Sequence, residues 1–275
     1  MTTPLITIIT PVYNGARYID ACLENVASQN CQVAEHLIMD GGSTDATVEI
    51  VEKWVTKNPN IRLISEKDNG QSDAMNKGIQ KAKGQIISFL NVDDYYEPGV
   101  LNQIGSVFLG LPVPSLVCGN LNIWNADGTL RHFHRPTHVR LAELLSHRFE
   151  WPYNPSAYFY HKSLHEQTGL YNTDNHLCMD YEFILKAAAI TDFIHIDQTW
   201  GNFVMVEGSK TQVSHSLDPE SARKKAASLR QEAYERAGLA IQKEVDLLIA
   251  AGKVVEKKLP LYNRALNKLK NLLRF

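Results

Sequence analysis

The sequence lacks several features that would indicate particular classes of protein. It contains only four cysteines, which lie far apart without a C-x-x-C pair, so neither a disulfide scaffold nor a zinc or redox site is predicted. No apolar run approaches the ~18–20 residues of a membrane span, and the first ten residues lack the basic stretch and cleavage site of a secretion signal. We therefore expect a cytoplasmic protein whose thiols are buried and reduced. The cysteines are Cys22, Cys31, Cys118 and Cys178.

The sequence also lacks a charge imbalance and the glycine motifs of common nucleotide-binding loops. With 28 Lys and Arg against 30 Asp and Glu, the formal net charge is -2, which gives no reason to expect a nucleic-acid partner. Neither G-x-G-x-x-G nor G-x-x-x-x-G-K-[ST] occurs. The hydrophobic content of 44% is enough for a core, and it excludes a collagen-like or wholly disordered chain.

Hydrophobic periodicity predicts three strand–helix units in the first ninety residues. Apolar, β-rich runs alternate with segments whose apolar residues recur at helical spacing. The predicted strands lie at 5–10, 36–39, 61–65 and 85–90. This alternation is typical of an α/β fold in which helices flank a mostly parallel sheet.

The pattern divides the chain into three parts. We expect residues 1–98 to form a ligand-binding half and residues 99–215 to form an α+β half of the same domain, with a hairpin around 125–128. Residues 216–275 are expected to be a helical C-terminal extension.

Polar residues follow each of the four predicted strands. In an open parallel sheet, ligands bind beyond the carboxyl ends of the strands. The segments at that edge are Thr10–Asn14, Asp40–Gly42, Glu66–Gly70 and Asn91–Asp94. Asp, Asn and Gly are also ordinary turn residues, but four such loops in register favour a site for a polar ligand with hydroxyls and a metal-bound phosphate.

Four motifs occur here in a fixed order, namely Thr10-Pro-Val-Tyr-Asn14, Met39-Asp-Gly-Gly-Ser-Thr-Asp45, Asp73-Ala-Met-Asn-Lys-Gly78 and Leu90-Asn-Val-Asp-Asp94. Together they resemble the inverting family 2 glycosyltransferases of GT-A fold. The resemblance covers roughly residues 4–100 strongly and weakens to about 211. It implies a GT-A-type sheet and transfer of a sugar from a nucleotide-sugar donor, with a UDP-sugar expected, to a saccharide or lipid-linked acceptor in bacterial surface polysaccharide synthesis.

The resemblance also implies which residues bind the donor. Tyr13 would offer a ring face to the base, and Asp40 would accept a hydrogen bond from a base N–H. Asp73 would help close over the ribose or sugar, or it would instead cap the helix that follows. Lys77 and Arg62 are weaker candidates for phosphate contact. The donor residues implied by position are Thr10, Pro11, Tyr13, Asn14, Asp40, Asp68, Asp73, Asn76, Asn91, Val92 and Asp93.

The metal position departs from the family's usual pattern. Asp93 matches the second acid of the D-x-D motif and would hold Mg²⁺ or Mn²⁺ against the donor phosphates. The first acid is replaced by Asn91, whose amide can bond a ribose hydroxyl but carries no charge. Asp94 is either a supporting partner or a residue at a helix start.

The catalytic base implied by the resemblance is Asp180. Inversion is an in-line displacement in which a base takes the proton of the acceptor hydroxyl. Asp180 lies at the start of a predicted amphipathic helix, where relatives carry an acid, and it can also act as the N-cap of that helix. Glu182 is the reserve candidate.

Two further segments match positions near the acceptor and the leaving group. Trp151, Tyr153 and Asn154 lie where relatives meet the acceptor, and sugar faces stack on aromatic rings. Lys210 falls in a loop that in similar enzymes lies near the diphosphate, where it would neutralise charge. A structural role for the aromatic residues and a plain surface loop around Lys210 are the alternatives.

The C-terminal tail has a basic, amphipathic pattern. From position 250 onward seven residues are basic and one is acidic. Leucines recur at helical intervals between these charges, which suits a helix lying on anionic lipid. Packing on the catalytic domain or on a second subunit, as in a homodimer, explains the same pattern.

Two other functions compete with the transferase. Asn91 favours a scaffold protein that keeps the nucleotide-sugar pocket but is catalytically inactive. A nucleotidyltransferase on a related sheet would release pyrophosphate in place of nucleoside diphosphate.

Overall fold

The fold is described from a computed structural model of the chain, for residues 4–137, 139–146, 151–175, 177–206 and 219–258. The predicted diphosphate contact Lys210 and the tail segment 259–275 lie outside these described residues.

The first ninety residues form the predicted strand–helix units. The elements are β1 (Ile6–Val12), α1 (Ile19–Ala27), β2 (Ala34–Asp40), α2 (Thr47–Lys57), β3 (Ile61–Ser65), α3 (Gln71–Lys81) and β4 (Ile86–Phe89). The residues of β2 and β4 are all buried, and so are nearly all those of β1, which explains their continuous apolar runs. Asp45 secures the start of α2, because its carboxylate accepts hydrogen bonds from the N–H and hydroxyl of Thr47.

The rest of the chain mixes strands and helices. Its strands are β5 (Tyr95–Tyr96), β6 (Leu116–Asn125), β7 (Leu130–His134), β8 (Tyr158–His161) and β9 (Phe193–Met205). Its helices are α4 (Val100–Phe108), α5 (Leu141–Leu145), a 3₁₀ turn (Pro155–Ala157), α6 (Leu164–Thr168), α7 (Met179–Ala188), α8 (Pro219–Arg236) and α9 (Leu239–Lys258). The predicted hairpin around 125–128 is therefore present, formed by β6 and β7.

One continuous sheet contains the strands of both halves. Its order is β3-β2-β1-β4-β8-β6-β9-β5, and β7 pairs with β6. The pairs among the first four strands are parallel, as the sequence predicts. In the second part, β8 runs antiparallel to both β4 and β6, whereas β9 runs parallel to β6.

Helices cover both faces of the sheet. Ile9 packs in the cluster that contains α3, while its neighbour Ile8 packs with α1 and α4, because successive side chains of a strand point to opposite faces. Gly78 allows α3 to approach β1 closely, since a Cβ there would meet Ile9 Cγ2 at 2.6 Å. This contact brings the start of α3 near the carboxyl edge of the sheet.

The helices α8 and α9 pack on the rest of the domain. Leu229 of α8 and Val245 of α9 are buried in the same apolar cluster as α5 and α7. Arg140 adds an ion pair with Glu244 at 3.0 Å. The described part of the extension is thus helical and packs on the domain. Within the part of the chain that the structure describes, no helix is long and apolar enough to cross a membrane.

A buried histidine makes the stability of the sheet sensitive to acid. Nε2 of His36 lies 2.9 Å from Thr10 Oγ1, and burial lowers the pKa of His36 from 6.5 to about 3. Because this pKa is depressed in the folded state, the contribution of the neutral ring is fully present above pH 6.5 and is lost as the pH falls.

We expect the wild type to lose about 2 kcal/mol more unfolding free energy than His36→Gln between pH 7 and pH 5. Urea unfolding followed by circular dichroism at both pH values measures this difference. His132→Gln, at an exposed position of β7, is the control. Its unfolding free energy should change between the two pH values as much as that of the wild type. Equal pH dependence in His36→Gln and the wild type would contradict the assignment.

Candidate functional site

The carboxyl ends of the first four strands place the predicted donor residues along one edge. Val12 is directly opposite Asp40 in the β1–β2 register, and β4 runs on the other side of β1. Two strand spacings, about 10 Å, therefore separate Asp40 from the loop after β4. A nucleoside can bridge that distance.

Asp40 is buried and held in one orientation. Its carboxylate accepts hydrogen bonds from the N–H groups of Gly42 and Ser43, both at 3.1 Å, and from Ser65 Oγ at 2.7 Å. All three bonds are to Oδ2, whereas Oδ1 only shares the N–H of Ser43 at 3.3 Å, so Oδ1 can accept a further donor. Ser65, the last residue of β3, was not identified from the sequence, because a lone serine after an apolar run carries no distinctive signal.

The loop after β1 presents an exposed aromatic ring. Tyr13 is 64% exposed, so it does not serve core packing. The neighbouring Asn14 has a φ of 51°, and its Oδ1 accepts the N–H of Thr44 at 2.8 Å while its own N–H donates to Ser43 Oγ at 2.7 Å. These bonds join the loops after β1 and β2 beneath Tyr13.

Thr10 is placed differently from the sequence-based prediction. Its side chain is fully buried and its hydroxyl contacts His36 inside the sheet. Thr10 therefore supports the loop from inside the sheet, because a β-branched residue of a central strand packs between the neighbouring strands. Pro11 follows it at the edge and is half-buried.

The loop after β3 lies against the loop after β2. A Cβ at Gly41 would meet Asp68 Oδ2 at 2.4 Å, so glycine allows the Asp68 carboxylate to approach the main chain there. Asp73 accepts the N–H of Asn69 at 3.0 Å and thereby secures the start of α3 from inside its first turn. Lys77 forms ion pairs with Asp73 at 3.4 Å and with Glu66 at 3.5 Å.

Two of the residues proposed for the donor face elsewhere. The amide of Asn76 accepts the N–H of Tyr171 at 2.8 Å and donates to its carbonyl at 2.9 Å, so Asn76 joins α3 to the segment before α7. Arg62, the second residue of β3, pairs with Glu35 at 2.7 Å, near the amino-terminal ends of the parallel strands. The prediction of phosphate contact for Arg62 was therefore wrong.

The loop after β4 is organised around the buried carboxylate of Asp94. Its Oδ2 accepts the amides of Asn91 and Asn154, both at 2.8 Å, and its Oδ1 accepts the N–H of Val204 at 3.1 Å. Asp94 is thus a supporting partner and not a helix-start residue, because α4 begins at Val100. Asn91, at the first acid position of the motif, supplies one of these donors.

Asp93 lies beside this network and lines a cavity of about 280 Å³ between α1 and the loop after β4. Val92 lines the same cavity, whereas Asp40 does not. Burial raises the pKa of Asp93, and burial followed by the charge of Asp93 raises the pKa of Asp94. A cation near this pair would favour the ionised form of both carboxyls.

The first two residues of α3 connect this loop to the predicted base. Gln71 Nε2 donates to Asn91 Oδ1 at 3.2 Å, and the next residue, Ser72, donates through its hydroxyl to the sulfur of Met179. Asp180 follows Met179 in the first turn of α7. Neither Gln71 nor Ser72 was identified from the sequence, because their role depends on a contact between distant segments.

Asp180 is not the N-cap of α7, since that position is Cys178. The reserve candidate Glu182 is occupied in an ion pair with Lys186 at 2.8 Å and a hydrogen bond from Asn175 at 2.9 Å. Among the two acids at the start of α7, Glu182 therefore has a structural role of its own.

The predicted acceptor residues form part of an aromatic row. Tyr153 stacks on His134 at 4.2 Å and meets Trp151 edge-on at 5.4 Å, and Trp151 lies 5.0 Å from Tyr181, which follows Asp180. Tyr153 is the most exposed of the four rings. The row thus leads from β7 to the start of α7.

Asn154 does not share this exposed position. It is buried, its Nδ2 donates to Asp94, and its Oδ1 accepts the N–H and hydroxyl of Ser156. Both ends of its amide are therefore used within the protein. The acceptor contact predicted for Asn154 is replaced by support of the loop after β4.

Comparison with known proteins identifies the class to which this fold and site belong. The model of glycosyl transferase family 2 matches residues 7–155. A PGL/p-HBAD biosynthesis glycosyltransferase of Mycobacterium bovis is 32% identical over 206 residues, which are 71% of this chain and 76% of that protein. The chain therefore belongs to glycosyl transferase family 2 and is a transferase.

Other relatives are much longer. The chondroitin synthase of Pasteurella multocida is 30% identical over 220 residues, which are 77% of this chain but 22% of that protein. Among solved structures, Staphylococcus aureus TarS 1-349 in complex with UDP-GlcNAc has a TM-score of 0.70 at 18% identity, covering 94% of this chain and 77% of that chain. The PcManGT mannosyltransferase from Pyrobaculum calidifontis, in complex with GDP-Man and Mn²⁺, has a TM-score of 0.57 at 18% identity and covers 99% of this chain and 81% of its own. These structures show the GT-A fold.

Replacing Asn91 by aspartate should test the network around Asp94. The new carboxylate would face Asp94 Oδ2, where Asn91 now donates at 2.8 Å, so we expect Asn91→Asp to lose about 1–3 kcal/mol of unfolding free energy at pH 8. The loss should shrink at pH 5.5, where the two carboxyls can share a proton.

Urea unfolding at the two pH values, without divalent cations, measures this effect. Asn91→Ala is the matched control, because it removes the donor without adding a charge, and at pH 8 it should lose less unfolding free energy than Asn91→Asp. An Asn91→Asp protein as stable as the wild type at pH 8 would disprove the arrangement.

Proposed function

We propose that the chain is a metal-dependent inverting glycosyltransferase that moves a sugar from a UDP-sugar to a saccharide or lipid-linked acceptor in bacterial surface polysaccharide synthesis. One observation carries this proposal. Through Gln71 and Ser72, α3 contacts both the loop that contains Asp93 and the first turn of α7, which contains Asp180. The proposed metal-binding acid, Asp93, and the proposed base, Asp180, are therefore both in segments that contact the start of α3.

The proposed donor site uses the edge of the first three strands. Tyr13 offers a ring for stacking on the base, and the remaining lone pair of Asp40 accepts a base N–H. Asn14 and Asp68 hold the surrounding loops, and Asp73 fixes the start of α3. A uridine nucleotide is supported by the fold likeness to TarS, which was solved with UDP-GlcNAc, whereas PcManGT was solved with GDP-Man.

The residues near Asp93 fit a divalent cation that is bound mainly through the substrate. Within the described parts of the chain, no group of three or more His, Cys, Asp or Glu side chains could hold a metal by itself. Mg²⁺ is typically bound by one or two carboxylates together with substrate phosphates, and Asp93 supplies one such carboxylate. When bound, Mg²⁺ or Mn²⁺ would neutralise charge on the leaving diphosphate.

The proposed role of Asp180 is to take the proton of the attacking hydroxyl. Its position in the first turn of α7 lies at the end of the aromatic row, where Trp151 and Tyr153 can stack on the face of an acceptor sugar. The attacking hydroxyl would then lie between this row and the donor site. Lys210, which would neutralise the leaving group, remains a prediction outside the described residues.

The location of the enzyme follows from the acceptor that we propose. A cytoplasmic enzyme with a basic C-terminal segment would meet a lipid-linked acceptor at the inner face of the membrane. The packing of α8 and α9 on the domain leaves the tail beyond 258 as the segment for membrane contact or for pairing of subunits.

The base assignment is tested by replacing Asp180 with asparagine. We expect Asp180→Asn to release nucleoside diphosphate about 10²–10⁴ times more slowly in the presence of acceptor, while its donor affinity stays near that of the wild type. Asp93→Ala should instead lose donor affinity in the presence of Mn²⁺. The measurements are a coupled assay for the released diphosphate and titration calorimetry with UDP-sugars and GDP-mannose.

Glu182→Gln is the matched control for Asp180→Asn, because it alters the other acid of the same helical turn. It should keep most of the turnover. Wild-type turnover in Asp180→Asn would refute the base assignment, and tighter binding of GDP-mannose than of any UDP-sugar would refute the choice of nucleotide.

The acceptor assignment is tested at Tyr153. Loss of a stacked ring is worth about tenfold in affinity, so Tyr153→Ala should raise the acceptor KM by about that factor and leave the donor KM unchanged. Phe133→Ala is the control, since Phe133 is an exposed ring of β7 that is not part of the aromatic row. Steady-state kinetics with both substrates varied distinguishes these results.

A further inference from the structure

One arginine of the C-terminal extension contacts the end of the aromatic row. The guanidinium of Arg230, in α8, donates to the hydroxyl of Tyr181 at 3.4 Å, and its Cζ is 5.9 Å from the centroid of that ring. The Tyr181 ring is in turn 5.0 Å from the ring of Trp151. The guanidinium is therefore no more than about 11 Å from the ring centroid of Trp151.

The packing of α8 on α7 fixes the position of Arg230. Its neighbour Leu229 is buried in the apolar cluster that also contains Tyr181 and Ile184 of α7. Arg230 itself is half-buried, beside the helical turn that begins with Met179. Its positive charge is therefore partly withdrawn from water.

Arg230 has no acidic partner in the described parts of the chain. Arg62 pairs with Glu35, and Arg140 pairs with Glu143, whereas no carboxylate of a described residue forms an ion pair with Arg230. A guanidinium has five N–H donors in a rigid fork, so most of its donors remain for a ligand. Partial burial of a charge without a counter-charge costs stability and calls for an explanation.

The chemistry of the guanidinium indicates the class of ligand. Arginine binds carboxylate and phosphate groups through two parallel N–H bonds, and such charge-assisted bonds are about twice as strong as neutral ones. The aromatic row beside it offers ring faces on which sugars stack. A row of rings that ends at an arginine without an acidic partner therefore suits a saccharide with a negative charge.

We propose that Arg230 binds an anionic group, a carboxylate or a phosphate, of the acceptor saccharide that stacks on the aromatic row. Through this contact the enzyme selects charged acceptors over neutral ones. The inference rests on the acceptor site proposed above. Arg230 determines specificity and takes no part in the chemical step, because it contacts the acceptor away from the reacting hydroxyl.

The test uses probes that share one sugar and differ in charge, namely methyl β-glucoside, methyl β-glucuronide and methyl β-glucoside 6-phosphate. Binding to the full chain is measured by titration calorimetry with excess UDP and Mn²⁺, which exclude the phosphate probe from the donor site. We expect the wild type to bind a charged probe about tenfold more tightly than the neutral one. Tighter binding of the glucuronide identifies a carboxylate as the ligand group, and tighter binding of the 6-phosphate identifies a phosphate.

Replacement of Arg230 should remove this preference for charge. Arg230→Met should bind the charged probes about tenfold more weakly than the wild type does and bind methyl β-glucoside equally well. Arg230→Lys should keep part of the preference, because it retains the charge and loses the two parallel bonds. Lys224→Met is the matched control and should keep all of it, since Lys224 is an exposed cation of the same helix that pairs with Glu220 at 2.9 Å.

A structural role of Arg230 would give a different result. It would weaken the binding of all three probes equally in Arg230→Met and lower the urea midpoint of unfolding. We expect a midpoint equal to or above that of the wild type, because a half-buried charge without a counter-charge is replaced by an apolar side chain. A lowered midpoint together with equal weakening of the three probes would overturn the proposal.

The remaining outcomes separate this inference from the proposed function. Equal binding of the three probes by the wild type, binding of none of them, or a charge preference that persists in Arg230→Met would overturn the inference. Tyr153→Ala should weaken all three probes equally, and unchanged binding in that variant would contradict the acceptor site itself. Asp180→Asn should lose turnover and keep the charge preference, so failure of the base assignment is recognised independently of Arg230.

Discussion

The buried carboxylate of Asp94 joins three parts of the chain at the site. It accepts hydrogen bonds from Asn91 in its own loop, from Asn154 before the 3₁₀ turn and from the main chain of Val204 in β9. A buried carboxylate without such partners is costly, so these three segments must stay together while the protein is folded. The position of Asp93, the residue before Asp94, follows from this constraint.

The same constraint explains how one site contains residues of both halves of the sheet. Gln71 donates a hydrogen bond to Asn91. Ser72, the residue after Gln71, contacts the beginning of α7. The loop after β4, the start of α3 and the first turn of α7 are therefore coupled mechanically. A change at any of them alters the distance between the proposed metal ligand and the proposed base.

Asn76 extends this arrangement to the segment before α7. Its side chain forms two hydrogen bonds with the main chain of Tyr171, although the family resemblance assigned Asn76 to the donor. The aromatic row also reaches the start of α7, since the ring of Trp151 is 5.0 Å from that of Tyr181. The first turn of α7, which contains the proposed base, is therefore contacted by both α3 and the aromatic row.

Much of the donor side was predictable from the sequence, because it depends on local patterns. Continuous apolar runs predict buried parallel strands, and the residues that follow each run must lie at one edge. This reasoning placed Asp40 and Asp93 at that edge, where the structure has them, and the family resemblance was confirmed by the comparisons. The glycine at position 41, by contrast, is explained only by the tertiary structure, because Asp68 of another loop approaches the main chain there.

Other residues were misassigned because their side chains respond to distant partners. Thr10 and Asn154 are near the expected loops, but both are buried. The side chain of Thr10 contacts His36, and that of Asn154 contacts Asp94. Arg62 lies far from the ligand edge because it is near the beginning of β3 and not near its end.

The sequence by itself determined the strands, the helices and the edge at which a ligand meets the sheet, since hydrophobic periodicity and turn residues act over a few positions along the chain. The tertiary structure alone decided which polar groups face that ligand and which face each other. Hydrogen bonds such as Ser72 to Met179 or Asn154 to Asp94 join residues 107 and 60 positions apart, and no short-range pattern encodes such distances.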